Sequence, residues 1–118
     1  MLMFKKIEGH ILIYMPSSEL SGVFCYVYIL YPDKSKQFYV GFTHDLQRRY
    51  AEHNAGLSFA TKPYKPWSML YFEAHTSKED ALRREKYLKT SQGKQALRRM
   101  LRVRLTEMQN LNHQKVYY

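Results

Sequence analysis

Apolar and aromatic positions fall into two kinds of run along this chain. The first kind is continuous. Phe24-Cys-Tyr-Val-Tyr-Ile-Leu30 is β-branched and aromatic throughout, the pattern of a strand covered on both faces. Pro32-Asp33-Lys34-Ser35 is turn chemistry, and Gln37-Phe-Tyr-Val-Gly41 returns as a second strand, with Gly41 relaxing the backbone at its end. The short connection predicts an antiparallel hairpin with Tyr28 and Tyr39 on neighbouring strands. Trp67-Ser-Met-Leu-Tyr-Phe-Glu-Ala74 predicts a third strand, central or otherwise well covered.

The second kind of run has helical spacing. Over 44–54, Leu46 and Tyr50 share a core-facing stripe, and Arg49 and His53 ride on or beside it, one turn apart. Thr43 is placed to cap this helix with Asp45 in its first turn, and Gly56 sits at C′. Thr76-Ser-Lys-Glu79 reads as a capping box opening a helix from Lys78 to Leu88. The apolar stripe of that helix is Ala81, Leu82 and Leu88, with Glu85 in its middle. Ser91-Gln-Gly93 interrupts the pattern. From Lys94 to Met108 a further amphipathic period puts Leu97, Leu101, Leu105 and Met108 on one face, and 109–118 are expected to fray. Residues 1–21 fit poorly with the strand and helix pattern downstream and read as an extension, with Ile11–Met15 a short strand ended by Pro16.

A chain of 118 residues is one domain with a modest core. Charge adds a partner. Lys and Arg number 19 against 10 acids, and residues 76–118 hold 11 of those bases and 4 of the acids. A basic C-terminal third points to phosphate-rich partners, nucleic acid first. Its carriers are Arg98, Arg99 and Arg102, with Lys89 just upstream; Lys62 and Lys65 stand beside Phe59 and Tyr64 in a loop over 57–66, a mixture suited to a nucleic-acid surface. Cys25 is alone, which excludes an internal disulfide and fits a reducing cytoplasm. No apolar run approaches the ~20 residues of a membrane span.

Glu85 is the most informative acid. A carboxylate in an apolar stripe is costly unless a metal, a base or a hydrogen-bond network receives it; the plain structural alternative is an ion pair with a buried arginine. Arg49 and His53 beside a tyrosine-bearing hairpin have the look of a site, although a solvated arginine and a satisfied histidine would have the same spacing.

In order and spacing these residues resemble the GIY-YIG nuclease superfamily, in its small stand-alone bacterial form. Tyr26-Val27-Tyr28 stands where the family has its first tripeptide, and Tyr39-Val40-Gly41 stands at the second. Arg49 lies ten residues past Tyr39, His53 one turn later, and Ala81-Leu82-Arg83-Arg84-Glu85-Lys86-Tyr87-Leu88-Lys89 matches the pattern around the family's metal-binding glutamate. Phe42 departs from the lysine that DNA-repair members carry there. The resemblance covers residues 22–95, leaving 96–118 as a basic helix and tail. It implies an α+β fold, a three-stranded antiparallel sheet flanked by helices, and endonucleolytic hydrolysis of DNA with a divalent metal, in repair or recombination. A DNA- or RNA-binding module of the same fold without activity is the alternative, with DNA the expected partner ahead of RNA.

The chemistry of the residue types agrees with that implication. Arg49 offers a fork of donors to a phosphate. Glu85 can hold one hard cation, Mg²⁺ or Mn²⁺; it is the only inward-facing acid in the pattern, which favours a single ion. Tyr28, Tyr39 and His53 are the candidates to take a proton from water.

Overall fold

The computed structural model describes residues 3–7, 10–14, 22–33 and 35–116, with side chains described for 22–33 and 35–111. Two sheets are present. Among the described residues, strands β1 (Met3–Ile7) and β2 (His10–Tyr14) pair only with each other, antiparallel. Most of the predicted Ile11–Met15 strand is therefore present as half of a hairpin, while Met15, Pro16 and the break after them lie outside the described residues.

The main sheet has strands β3 (Cys25–Pro32), β4 (Tyr39–Thr43) and β5 (Trp67–His75), all antiparallel, in the order β4-β3-β5. The continuous apolar run is thus the central strand, covered on both faces as its composition predicts. β5 is an edge strand, not a central one. Its half-buried residues alternate with exposed ones near its end, where Phe72 is 50% exposed.

Helix α1 (Leu46–Asn54) precedes β5, and α2 (Lys78–Leu88), α3 (Ser91–Met100) and α4 (Arg102–Val116) follow it. Strand alternation sends the two faces of β3 into different cores. Cys25, Val27, Ile29 and Tyr31 pack with Phe38, Val40, Ala81, Leu88, Leu97 and Met108, under α2 to α4. Tyr28 and Leu30 pack with Trp67, and with the half-buried Tyr39, Leu46 and Tyr50 of β4 and α1.

Local chemistry moves several predicted boundaries. Asp45, not Thr43, caps α1: its Oδ1 accepts from the Arg48 N–H at 3.1 Å. The Thr43 hydroxyl instead accepts from the Asp45 N–H at 3.1 Å, tightening the turn before the helix. Ser77 replaces Thr76 as the cap of α2, accepting from the Asp80 N–H, and the Asp80 carboxylate accepts from Arg83 rather than closing a box on the cap. Gly56 does take the left-handed conformation after α1, at φ 78°.

The helical pattern after Leu88 is two helices. Ser91–Gly93 is not an interruption but the first turn of α3, capped by Thr90, whose hydroxyl accepts from the Gly93 N–H at 3.1 Å. A Cβ at Gly93 would run into the Tyr87 carbonyl oxygen and the Leu88 Cα, so glycine lets α3 start hard against the end of α2. The true break is at Leu101, after which α4 continues to Val116, through most of the tail expected to fray. Tyr117 and Tyr118 lie outside the described residues. Leu97 and Met108 are buried and Leu101 and Leu105 half-buried, as their spacing predicts. Leu82 is 41% exposed and does not belong to the α2 stripe.

Candidate active site

Tyr28 occupies the middle of β3, facing α1. Directly opposite on β4 is Gly41. A Cβ there would collide with the Tyr28 ring and hydroxyl. The glycine of the second tripeptide is therefore a space requirement of the tyrosine of the first. Its φ is not in the left-handed region, and β4 runs on to Thr43, so Gly41 neither relaxes the backbone nor ends the strand.

The space so made lets the Tyr28 hydroxyl reach His53 on α1, 2.7 Å from Nε2. His53 is fully buried, and its Nδ1 lies 2.7 Å from the hydroxyl of Thr61, also fully buried. Thr61 in turn donates to the Ser58 carbonyl at 3.4 Å. When Thr61 donates there it accepts from Nδ1–H, and in that tautomer the Nε2 lone pair of His53 accepts the Tyr28 proton. In that tautomer the line runs Tyr28 to His53 to Thr61 to Ser58, each group donating to the next.

Thr61 is a member of this line that the sequence did not mark. It lies in the 57–66 loop, and no periodicity marks it. The loop is held by Trp67, whose indole N–H donates to the Thr61 carbonyl at 2.9 Å. Trp67 is held in turn by Asn54 of α1, which accepts from its backbone N–H at 2.7 Å and donates to its carbonyl at 3.0 Å.

The electrostatics keep this line neutral. Burial, then the neighbouring Tyr39, push the Tyr28 hydroxyl up to about 12, with Arg49 pulling the other way. Burial, then Arg49, bring His53 down to about 4. Arg49 is one-third exposed, and Glu52 one turn along holds its Nη1 at 2.8 Å, leaving other N–H groups of the guanidinium for a ligand. Tyr39 completes the cluster, with its ring 4.9 Å from that of His53 and 6.3 Å from that of Tyr28. Phe42 sits opposite Val27 and packs on the other core, so this position sends nothing toward Tyr28; the cation beside the phenol is Arg49.

His53 makes stability depend on pH. The unfolded chain's histidine takes up a proton near pH 6.5 and the folded chain's only near 4, so acid favours the unfolded state across that window. At roughly 1.4 kcal/mol per pKa unit, wild type is expected to lose about 3 kcal/mol between pH 7 and pH 4 that a His53→Gln variant does not lose. Urea unfolding of both proteins at the two pH values checks this.

Glu85 does not point into the core. Its side chain is 17% exposed and pairs with Lys89 of the same helix at 2.6 Å, a lysine that is itself 56% exposed. The alternative of a buried arginine partner is thereby excluded. The Glu85 charge still reaches Tyr28, whose hydroxyl it helps to raise. Nor is Glu85 the only poorly exposed acid. Glu73 of β5 is 14% exposed, and it accepts from Arg84, His75 and Tyr71. Burial would raise its carboxyl, but the Arg84 and His75 bonds outweigh that and hold it low. Its oxygens are fully engaged, whereas the Glu85 carboxylate is held by Lys89 alone among the ion pairs of the described residues. Among the described residues no group of three or more His, Cys, Asp or Glu is arranged to hold a metal.

The basic residues divide between the two sides of the sheet. Lys62 and Lys65 are exposed on the loop that carries Thr61, beside the site. Arg98, Arg99 and Arg102 are exposed on the helices behind the sheet, where Arg98 lies over the Phe38 ring at 4.9 Å. Lys89 is the one basic residue of the predicted set in contact with a site residue. Among the described residues no helix is long and apolar enough to cross a membrane.

A tyrosine, a histidine and an arginine are thus brought together on one face of a three-stranded antiparallel sheet, and the match of the chain to a nuclease-type catalytic domain covers all three. The chain belongs to the GIY-YIG family: residues 24–98 match its catalytic domain. A UPF0213 protein of Staphylococcus haemolyticus is 39% identical over 74 residues, covering 62% of this chain and 89% of the relative. UPF0213 proteins of two Streptococcus pyogenes strains are each 42% identical over 65 residues, covering 54% of this chain and 70% of theirs. No solved structure matches. Family membership makes nucleic acid the substrate class.

Proposed function

We propose that this protein is an endonuclease that hydrolyses DNA phosphodiester bonds with a divalent cation, Mg²⁺ or Mn²⁺, in repair or recombination. The observation that carries the reading is the buried Tyr28–His53–Thr61 line ending beside the half-exposed Arg49.

Hydrolysis needs a base for the attacking water and compensation for charge on the phosphoryl oxygens. A Tyr28 hydroxyl near 12 does not ionise at neutral pH, so it works as a relay. Its oxygen takes the water's proton while its own proton passes to His53 Nε2. The Nδ1–H···Thr61 bond keeps that nitrogen's lone pair aimed at Tyr28. Burial and Arg49 both oppose the imidazolium. A phosphate seated on Arg49 cancels the second of these, so the base strengthens when substrate is bound. Glu85 is the residue that would hold the cation, a single carboxylate being a ligand that a hard divalent ion accepts. Bound there, the ion would supply Lewis-acid stabilisation of the departing oxygen.

Arg49→Lys keeps the charge but loses the planar fork that Glu52 orients. It is expected to slow single-turnover nicking by ~10²–10³, the usual cost of one oxyanion-stabilising donor. A lysine variant within a few-fold of wild type would make Arg49 a solvated helix residue.

A binding module without activity is the second reading, and the Glu85–Lys89 pair favours it, because it occupies the carboxylate with a structural partner. Incubation with plasmid, nicked, branched and single-stranded DNA, with Mg²⁺ or Mn²⁺ and with chelator, separates the two. Cleavage that requires the metal supports the enzyme; binding with no cleavage of any substrate supports the module.

A further inference from the structure

Beside the site, on the outer side of Tyr39, the surface opens into a cavity of about 300 Å³ lined by Ser35, Gln37, Tyr39, Tyr64 and Trp67, among others. Its volume is at the bottom of the range for ligand pockets, room for one ring system and not for a chain of them. Its walls are aromatic. Tyr64 is 47% exposed and stands edge-on to Trp67 at 6.5 Å, and Trp67 stands edge-on to Tyr39 at 6.1 Å. Gln37 and Ser35 add an amide and a hydroxyl at the rim, and the exposed Lys62 and Lys65 belong to the same loop as Tyr64. Tyr39 is shared: one side of its surroundings is this cavity, the other is His53.

We propose that this cavity receives the base of an unpaired nucleotide adjacent to the scissile phosphate. The inference rests on the nuclease reading for which phosphate is cut, and it adds the state of the DNA. An aromatic slot with a few hydrogen-bonding groups at its rim, on a loop that also carries two exposed lysines, matches a nucleotide: a π face, a polar edge and a phosphate. A base paired in a duplex is stacked on both faces and does not reach such a slot, so the nucleotide must be unstacked. Substrates that already carry an unpaired nucleotide at a flap, gap or junction avoid that cost. Intact duplex does not.

The test uses the full chain without metal, so that it reads binding alone. A duplex bearing one unpaired 2-aminopurine and its fully paired counterpart are titrated by anisotropy and by 2-aminopurine emission, against wild type, Tyr64→Ala and Tyr64→Phe. Wild type is expected to bind the unpaired probe more tightly and to change its emission. Tyr64→Ala should lose between about five-fold and 150-fold of affinity for the unpaired probe, the worth of one stacked base, with paired DNA unaffected. Tyr64→Phe should retain the preference. Equal wild-type affinity for the two probes, or an alanine variant weakened equally on both, overturns the proposal. Metal-dependent cleavage without that preference would leave the nuclease reading standing and remove only the pocket; the preference without cleavage would do the reverse.

Discussion

Replacing Tyr28 with phenylalanine is expected to leave a folded protein that cleaves DNA roughly 10²–10⁴-fold more slowly, the usual worth of a positioned acid–base group. The ring stays where Gly41 makes room for it, and only the hydroxyl leaves. His53 then keeps its Thr61 bond but has a buried lone pair with no donor, at a stability cost of about 1–3 kcal/mol. DNA affinity should not change, since the phosphate-binding cations are untouched. The contrast is with Tyr39→Phe. The Tyr39 hydroxyl makes no hydrogen bond among the described residues, whereas its ring packs on His53, so losing the hydroxyl alone is expected to alter the rate far less. Single-turnover nicking with both variants, alongside thermal melting, reads the two effects separately. Equal losses for the two tyrosines would mean that the His53 contact does not select the base.

Glu85→Gln is expected to abolish cleavage while binding persists. The amide keeps the shape of the side chain and removes the charge that would hold a cation. A purely structural Glu85 predicts something different and small. Its partner Lys89 is mostly exposed, so the pair is worth about 0–1 kcal/mol and its loss strands no buried charge. Melting temperature therefore changes little under either reading, and nicking and Mg²⁺ affinity decide between them. Full Mg²⁺-dependent nicking by the glutamine variant would sink the assignment of Glu85 as a metal ligand. In that event Glu73 does not substitute, because Arg84, His75 and Tyr71 already engage its oxygens.

Both predictions depend on side chains whose order was legible from composition and spacing, yet whose relations were not. Tyr28 and Tyr39 lie on neighbouring strands because two apolar runs with a short turn between them pair antiparallel, and a run without polar alternation belongs in the middle of a sheet. Arg49 and His53 lie together because residues four apart share a helix face. Leu97 and Met108 are buried for the same reason, although the helix that carries them breaks at Leu101.

The α+β class, the central strand, the antiparallel hairpin and the chain order of Tyr28, Tyr39, Arg49, His53 and Glu85 were thus contained in the sequence, because each depends on periodicity within one element or on a short connection. Thr43 against Asp45, and Thr76 against Ser77, were not decidable locally, since adjacent residues with equivalent oxygens can each cap a helix and packing chooses between them. The edge position of β5 came from which strand paired with β3 on each side, a long-range choice. The tautomer of His53 depended on Thr61, eight residues on in a loop, whose path was set by Asn54 and Trp67. Gly41 looked like a backbone device and proved to be room for a ring on the next strand, because a missing side chain gains its meaning only from the neighbour that fills the space.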